Sequence, residues 1–147
     1  MGWAMEANIE DHVGRVKDRL EKGRLVLSSL ENVTAYDIEN IEPNMDQIAF
    51  PPPLPDDRFY VATDERDPDA LRVIREGGGV FLTDLLEMED RQVFGWSLMI
   101  TDVRALVEQL VLARSAYFYG HMLSSYSGRV ANMRAARGAD CRTTFID

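Results

Sequence analysis

Cysteine, histidine and basic residues are scarce in this chain, and each scarcity excludes a class of protein. The single cysteine, Cys141, cannot form an intrachain disulfide, so the fold does not depend on disulfide bonds as many small secreted domains do. With one cysteine and two histidines, no zinc site of familiar spacing can be assembled. The 16 basic residues are outnumbered by 25 acidic ones, which gives a net charge of -9. This acidity argues against a general affinity for nucleic acids or anionic membranes, because both require basic counter-charge.

Long apolar runs are also missing. The N-terminal region contains no apolar run of signal-peptide length, and no stretch approaches the roughly 18 uncharged apolar residues of a membrane span. We therefore expect a soluble, unprocessed chain. Its 147 residues suffice for one domain with a core that needs neither disulfides nor a structural metal.

Charge is distributed unevenly along the chain. Residues 31–102 carry seventeen acidic and five basic side chains, whereas residues 103–147 carry three acidic and six basic ones. Most of the basic residues are arginine, which suits forked recognition of phosphate or carboxylate, although codon bias would produce the same excess. The C-terminal third is therefore where we expect an anionic ligand to bind.

The N-terminal part of the chain predicts one helix followed by a long connection. Apolar residues recur at helical spacing over residues 8–22, with Asn8 as a plausible N-cap and Gly23 just past the end. Residues 31–57 are acidic and aperiodic and end in a proline-rich stretch that cannot continue a helix or a central strand. We interpret residues 1–57 as this helix plus a connecting loop, and residues 58–147 as the main lobe of a single domain.

Regular structure is predicted after residue 58, where short apolar strands alternate with helices. The strands are predicted at residues 59–63, 80–82 and 116–119. The helices are predicted to begin at Asp67, Asp102 and Ser124. This order predicts an α/β fold with a parallel sheet flanked by helices.

The helix after Asp102 has a strong apolar face, which we expect to face inward. Its residues are Val103, Leu106, Val107, Leu110 and Val111. On the same helix Glu108 follows Arg104 by four residues, a spacing typical of a surface ion pair. A looser acidic stretch before this helix contains large apolar side chains that are more typical of a core than of a ligand platform. They are Phe94, Trp96 and Met99.

Two predicted strand-to-helix turns carry side chains suited to ligand binding, because ligands of open α/β sheets bind beyond the carboxyl ends of the strands. The first turn contains Asp64 and is also typical of solvated acids that open a helix. The second, residues 120–128, would present hydroxyls and helix N–H groups to a phosphate, although serines at a helix start are also ordinary caps. The hydroxyls belong to Ser124, Ser125 and Ser127.

Motifs in the second half of the chain resemble those of one enzyme family. FYVATDE (residues 59–65) is followed by Glu108-Gln109 on a helix, by YFYGHMLSSYS (residues 117–127), and by a helix with arginines. In this order and at compatible spacing, they resemble the GDP-fucose protein O-fucosyltransferase superfamily over residues 58–138. The resemblance implies a Rossmann-like lobe of a glycosyltransferase B-type fold, the lobe that holds most of the GDP-fucose donor.

The resemblance also implies roles for particular residues. Ser124, Ser125 and Tyr126 would contact the diphosphate of GDP-fucose. Glu108 stands where the family usually has an Asp that binds the guanine edge, and Asp64 would lie near the nucleotide or hold its turn. The family transfers fucose to a hydroxyl without a metal or other cofactor, and it works in the ER and Golgi.

One catalytic element of the family is not found in the sequence. This element is a His-x-Arg motif whose arginine stabilises the GDP leaving group, yet neither His12 nor His121 is followed two residues later by arginine. Losing such a charge commonly slows a reaction by orders of magnitude. We therefore expect a lobe that binds GDP or GDP-fucose and is inactive alone, with an unidentified protein or glycan acceptor. The alternative is a non-catalytic domain that binds a protein through an exposed apolar face.

Overall fold

The chain folds as a mixed α/β structure in the computed structural model, which describes residues 9–32 and 53–147. The helices are α1 (Ile9–Asn32), α2 (Pro68–Glu76), α3 (Leu82–Leu85), α4 (Met88–Phe94), α5 (Thr101–Arg114) and α6 (Ser125–Ala136). The strands are β1 (Phe59–Tyr60), β2 (Gly79–Val80), β3 (Phe118–Gly120) and β4 (Thr144–Ile146). Short 3₁₀ helices cover Gly95–Met99 and Cys141–Thr143.

Two of the expectations from the sequence lie outside the described ranges, namely the cap at Asn8 and most of the connecting loop, residues 33–52. Within those ranges, no helix combines the length and apolar character that crossing a membrane requires.

The first parallel unit consists of β1, α2 and β2, at the positions where a strand, a helix and a strand are predicted. Asp67 caps α2 through its side chain, and Pro68 occupies the first turn. The N–H groups of the first turn make no hydrogen bond within a helix, so the helix does not need the N–H that proline lacks. The chain then returns so that β2 pairs in parallel with β1, with Phe59 opposite Gly79. Ile74 of α2 is buried.

The second parallel unit consists of β3, α6 and β4. β3 pairs in parallel with β4, from Phe118 opposite Thr144 to Gly120 opposite Ile146. A mixed α/β fold with parallel strands is thus confirmed, but the described strands form two separate two-stranded sheets instead of one sheet. β4 was not predicted, because three residues at the end of the chain are too few to establish a period.

The prediction that the first helix ends at Gly23 is wrong, because α1 continues to Asn32. Gly23 is buried within α1 and faces the ring of Tyr117, with which a Cβ at this position would overlap. Its missing side chain therefore permits close packing rather than ending the helix. Leu27, one turn later, is also buried, and α1 packs against α2 and β3.

The predicted inward face of α5 is wrong at three of its five positions, because Leu106, Leu110 and Val111 are exposed, whereas Val103 and Val107 are partly buried. Leu106 and Leu110 are 54% and 44% exposed, whereas Gln109 and Ala113 are 4% and 5% exposed. α5 packs closely against α6, so a small side chain such as Ala113 occupies the contact that the leucines were expected to fill. Tertiary packing has here outweighed the apolar periodicity of the helix.

The segment from α3 to the start of α5 buries little. Phe94 and Trp96 are 56% and 84% exposed, so their assignment to the core is wrong. The side chain of Met99 lies outside the described part. No residue of α4 is buried, because α4 packs mainly against the following 3₁₀ helix, which in turn contacts α5.

A buried guanidinium occupies the centre of the second unit. Arg134 of α6 is 1% exposed, next to the fully buried Val130 one turn earlier. Burial lowers the pKa of Arg134 to about 10. Its acceptors are neutral oxygens on two parts of the chain: the carbonyls of Leu112, Ser115, Ala116 and Thr143 and the hydroxyls of Ser115, Thr143 and Thr144. One side chain therefore ties α5, α6 and the approach to β4 together.

Candidate functional site

Ser124 caps α6, at the position where the sequence predicts the helix to begin. Its Oγ accepts a hydrogen bond from the Ser127 N–H at 3.3 Å. Ser127 is 7% exposed, and its own Oγ accepts from the His121 N–H at 3.0 Å. Two of the three serine hydroxyls predicted to contact phosphate thus hold the loop and the helix start. The third, on Ser125, belongs to an exposed residue.

The loop between β3 and α6, residues 120–124, is fixed by the end of β4. The Asp147 N–H donates to the Gly120 carbonyl at 3.1 Å, and the Met122 N–H donates to the Asp147 carbonyl at 2.7 Å. A Cβ on Gly120 would lie 2.8 Å from atoms of Ser127, so only glycine permits the close approach of β3 to α6. The loop therefore has a defined shape before any ligand binds.

The first turn of α6 offers donors to an anion. Ser125 and Tyr126 are its first two residues, and the first N–H groups of a helix have no acceptor within the helix. The positive end of the helix dipole lies at the same place. An anion bound here would receive two backbone N–H groups and the Ser125 hydroxyl.

Beside this helix start, a cluster of ionisable side chains comes together from β1, α5 and α6: Tyr60, Arg104, Glu108 and Tyr126. Burial raises the pKa of Tyr60 and of Tyr126, and the nearby Glu108 carboxylate raises both further. Burial also raises the pKa of Glu108, against the opposing charge of Arg104. The Tyr126 hydroxyl donates to the Ala105 carbonyl at 3.3 Å. Two residues that the family resemblance assigns to one nucleotide, Glu108 and Tyr126, are thus neighbours.

The ion pair between Arg104 and Glu108 that their spacing favours is not among the salt bridges of the described residues. Both side chains are partly buried, and Glu108 lies on the side of α5 that approaches Tyr60 and Tyr126. The Glu108 carboxylate can therefore accept hydrogen bonds from a ligand.

Two buried polar atoms have no hydrogen-bond partner among the described residues: the hydroxyl of Tyr60, which belongs to this cluster, and Oε1 of Gln109 on α5. Leaving a buried polar atom unpaired costs about 1–3 kcal/mol, so such atoms are usually satisfied by water or by a ligand. In the sequence, Tyr60 is predicted only as a residue of the first strand. A signal that could have singled it out is a hydroxyl-bearing side chain on an otherwise apolar strand.

Asp64 lies in the exposed turn after β1 and is not part of the cluster. The turn is held by its neighbours, since Thr63 Oγ1 accepts from the Glu65 N–H at 3.1 Å and Glu65 Oε1 accepts from the Asp67 N–H at 2.9 Å. The carboxylate that accepts backbone hydrogen bonds at this turn is therefore that of Glu65, not that of Asp64. A direct role of Asp64 in ligand binding stays a prediction.

α1 brings basic side chains close to the β3–α6 loop. Nη2 of Arg15 lies 2.8 Å from Nδ1 of His12, which accepts the hydrogen bond. Burial lowers the pKa of His12, and the positive charges of Arg15 and His121 lower it further. In the same region Arg19 forms an ion pair with Asp147 at 2.9 Å. α1 is therefore attached to the end of β4, beside the loop that starts α6.

Across residues 9–32 and 53–147, no group of three or more His, Cys, Asp or Glu side chains is placed to hold a metal ion. No protein-family model, no curated protein and no solved structure matches the chain at a significant level. Function therefore has to be inferred from the local geometry and the sequence motifs.

Proposed function

We propose that this chain is a Rossmann-like donor-binding lobe of an O-fucosyltransferase-like glycosyltransferase and that it binds GDP or GDP-fucose. The observation that carries the proposal is the β3–α6 loop, which Asp147 fixes and which leaves the N–H groups of Ser125 and Tyr126 available. A diphosphate placed there would meet a prearranged set of donors and the helix dipole. The place is also the carboxyl end of a parallel strand, where α/β proteins commonly bind nucleotides.

Tyr126 connects the phosphate end of the proposed site to its base end. Its N–H belongs to the start of α6, while its side chain reaches α5 beside Glu108. Guanine presents a ring N–H and an amino group on one edge, and a carboxylate offers two oxygens that accept from both. Adenine lacks that pair of adjacent donors. Glu108 would therefore favour guanine, and ligand donors would offset the burial that now raises its pKa.

These residues are proposed to bind the donor but not to complete the transfer of fucose. Inverting transfer breaks the bond between fucose and the GDP diphosphate, and positive charge must stabilise the phosphate oxygen that leaves. The family supplies it from a His-x-Arg motif, which neither His12 nor His121 provides. The 147 residues alone are therefore expected to bind GDP-fucose without transferring fucose to an acceptor.

Thermal unfolding with added nucleotides tests the proposal. At 100 times its dissociation constant a ligand stabilises a protein by about 2.7 kcal/mol, which is about 5–10 °C for a domain of this size. We expect GDP at about 1 mM to raise the melting temperature and ADP and UDP to raise it less. Equal melting curves with and without GDP would contradict the proposal.

Substitutions separate the two ends of the proposed site. Ser125→Ala should reduce the GDP shift, and Glu108→Gln should reduce the preference for GDP over ADP, because the amide accepts only one of the two guanine donors. Ser97→Ala is the matched control, since Ser97 is exposed and lies on the 3₁₀ helix outside the site. A GDP shift that survives both site substitutions would place the nucleotide elsewhere.

A second candidate function is protein binding without catalysis. The observation in its favour is the exposure of large apolar side chains between α3 and α5, above all Trp96. Such patches on soluble proteins commonly mark interaction surfaces. This candidate predicts no response to nucleotides, so the same melting experiment distinguishes it from the first.

A further inference from the structure

Residues 83–102, here called the acidic apolar surface, expose apolar side chains that a folded domain ordinarily covers. In the described part of this segment no side chain is buried, and Val93 and Trp96 are 76% and 84% exposed. The other large apolar side chains that are more than half exposed are Leu85, Met88, Phe94 and Ile100. Their arrangement on α4 and the flanking turns, which contact one another, concentrates them in one region of the molecule.

The same segment is strongly acidic. It contains one basic side chain, Arg91, and the acidic side chains of Asp84, Glu87, Glu89, Asp90 and Asp102. Asp84 pairs with Arg75 at 3.0 Å, and Asp90 accepts from the Glu87 N–H at 3.0 Å. Among the described residues, no salt bridge neutralises Glu87, Glu89 or Asp102. The five acidic side chains and the one basic side chain, Arg91, leave the surface with a net negative charge around its apolar groups.

This charge distinguishes between possible occupants. A symmetric dimer through this surface would place the two acidic segments against each other, which disfavours a second copy of the chain as occupant. An anionic membrane would be repelled for the same reason. A partner segment with apolar side chains and a basic rim would bury Trp96 and Val93 while it neutralises the acids.

We propose that the acidic apolar surface binds a basic amphipathic helix of another protein, whose apolar side chains cover Trp96 and Val93. The lysine or arginine side chains of that helix pair with Glu87, Glu89 and Asp102. Trp96 is the expected centre of the contact, because a large aromatic side chain loses the most exposed area when covered. This interaction does not rest on nucleotide binding, and it gives the second candidate function a partner of defined chemistry.

A pair of synthetic helical peptides tests this surface. One has leucine and lysine at amphipathic spacing, and the other has glutamate in place of every lysine. We expect fluorescence anisotropy to show saturable binding of the labelled lysine peptide to the full chain and none of the glutamate peptide. In a Trp3→Phe background, Trp96 is the remaining tryptophan and its emission should shift to the blue on binding.

Variants of exposed residues show whether the peptide binds where we propose. Trp96→Ala should weaken binding at least about tenfold, and Glu89→Lys should weaken it and reduce its dependence on salt. Leu54→Ala and Asp56→Lys are matched controls, because both residues are exposed and lie outside the surface. These controls should leave the affinity unchanged.

Four results would overturn the proposal. The first two are absence of saturable binding and equal binding of both peptides. The third is self-association in analytical ultracentrifugation that Trp96→Ala abolishes, because a second copy would then cover the surface. The fourth is binding to phosphatidylserine-containing vesicles that the same substitution abolishes. The GDP melting shift of Trp96→Ala, measured in parallel, reports on the nucleotide site separately.

Discussion

The region around Arg134 buries its side chains, whereas the acidic apolar surface leaves its side chains exposed. Between α5 and β4, Val130 and Thr143 have no exposed surface and Arg134 is 1% exposed. In the acidic apolar surface, Trp96 and Val93 are almost fully exposed. For Arg134 and Trp96, residue polarity would predict the reverse. Burial of the Arg134 guanidinium follows from the hydrogen-bond acceptors that surround it, whereas no layer covers the Trp96 indole in the described part of the chain.

The difference also separates two kinds of function. Hydrogen bonds with Asp147 and Ser127 hold the β3–α6 loop, so its donors have a fixed geometry, as binding of a small anion requires. The acidic apolar surface has few internal contacts, which leaves its side chains free to adapt to a partner. Each of the following substitutions tests one part of this contrast.

The largest expected effect is that of Arg134→Met. The substitution keeps an apolar stem of similar length but removes the Arg134 hydrogen bonds to the carbonyl oxygens of Ser115 and Ala116. Because each unpaired buried acceptor costs about 1–3 kcal/mol, we expect a loss of about 3–5 kcal/mol in the free energy of unfolding, measured by urea denaturation.

Arg91→Met in the acidic apolar surface is the matched control. The Arg91 guanidinium donates at 3.3 Å to the Thr83 carbonyl and is exposed. Its replacement should change the free energy of unfolding by less than about 0.5 kcal/mol. Similar losses for Arg91→Met and Arg134→Met would contradict the contrast between the two regions.

A smaller effect is expected from alanine at two glycines of α1. Gly14→Ala meets no atom within 4 Å and should stabilise the helix by up to about 1 kcal/mol. Gly23→Ala gains the same helix propensity, but its Cβ overlaps the ring of Tyr117. We therefore expect the free energy of unfolding, measured by urea denaturation, to fall by about 1–3 kcal/mol. If both substitutions stabilised the protein, the packing of α1 against Tyr117 would be refuted.

Features that depend on neighbouring residues in the chain could be predicted from the sequence. The cap at Asp67 with Pro68 after it and the cap at Ser124 are local signals, and both helices begin there. Gly23 was misinterpreted because a ring distant in sequence, that of Tyr117, determines why it is glycine. Trp96 was wrongly assigned to the core, because a sequence pattern does not show whether another helix or strand packs over a side chain.

The candidate site shows the same division. The helix-start donors of Ser125 and Tyr126 follow from a capping pattern that the sequence displays. The approach of Tyr60 to Glu108 joins residues far apart in the chain, and spacing alone carries no information about such a contact. The interior position of Arg134 could not be predicted for a related reason, since its acceptors come from two separate segments, residues 112–116 and 143–144.

The smallest expected effect is a pH dependence at the junction of α1 with the β3–α6 loop. Burial, Arg15 and His121 hold the pKa of His12 below its ordinary 6.5, so the unfolded chain binds this proton more readily than the folded one. The contribution of neutral His12 is therefore fully present above pH 6.5 and is lost as the pH falls through the lowered value. Because His12 is largely exposed, we expect a few tenths of a kcal/mol.

Urea denaturation of the wild type and His12→Gln between about pH 7.5 and 5.5 measures this effect, in a range where most carboxylates stay ionised. Glutamine can still accept from Arg15 but does not titrate, so His12→Gln should lose less stability on acidification. The emission of Trp96 in the folded Trp3→Phe protein should not change over the same range, because the acidic apolar surface contains no histidine. Equal pH slopes for wild type and variant would show that protonation of His12 does not weaken the junction. The sensitivity to pH would then have to arise elsewhere in the chain.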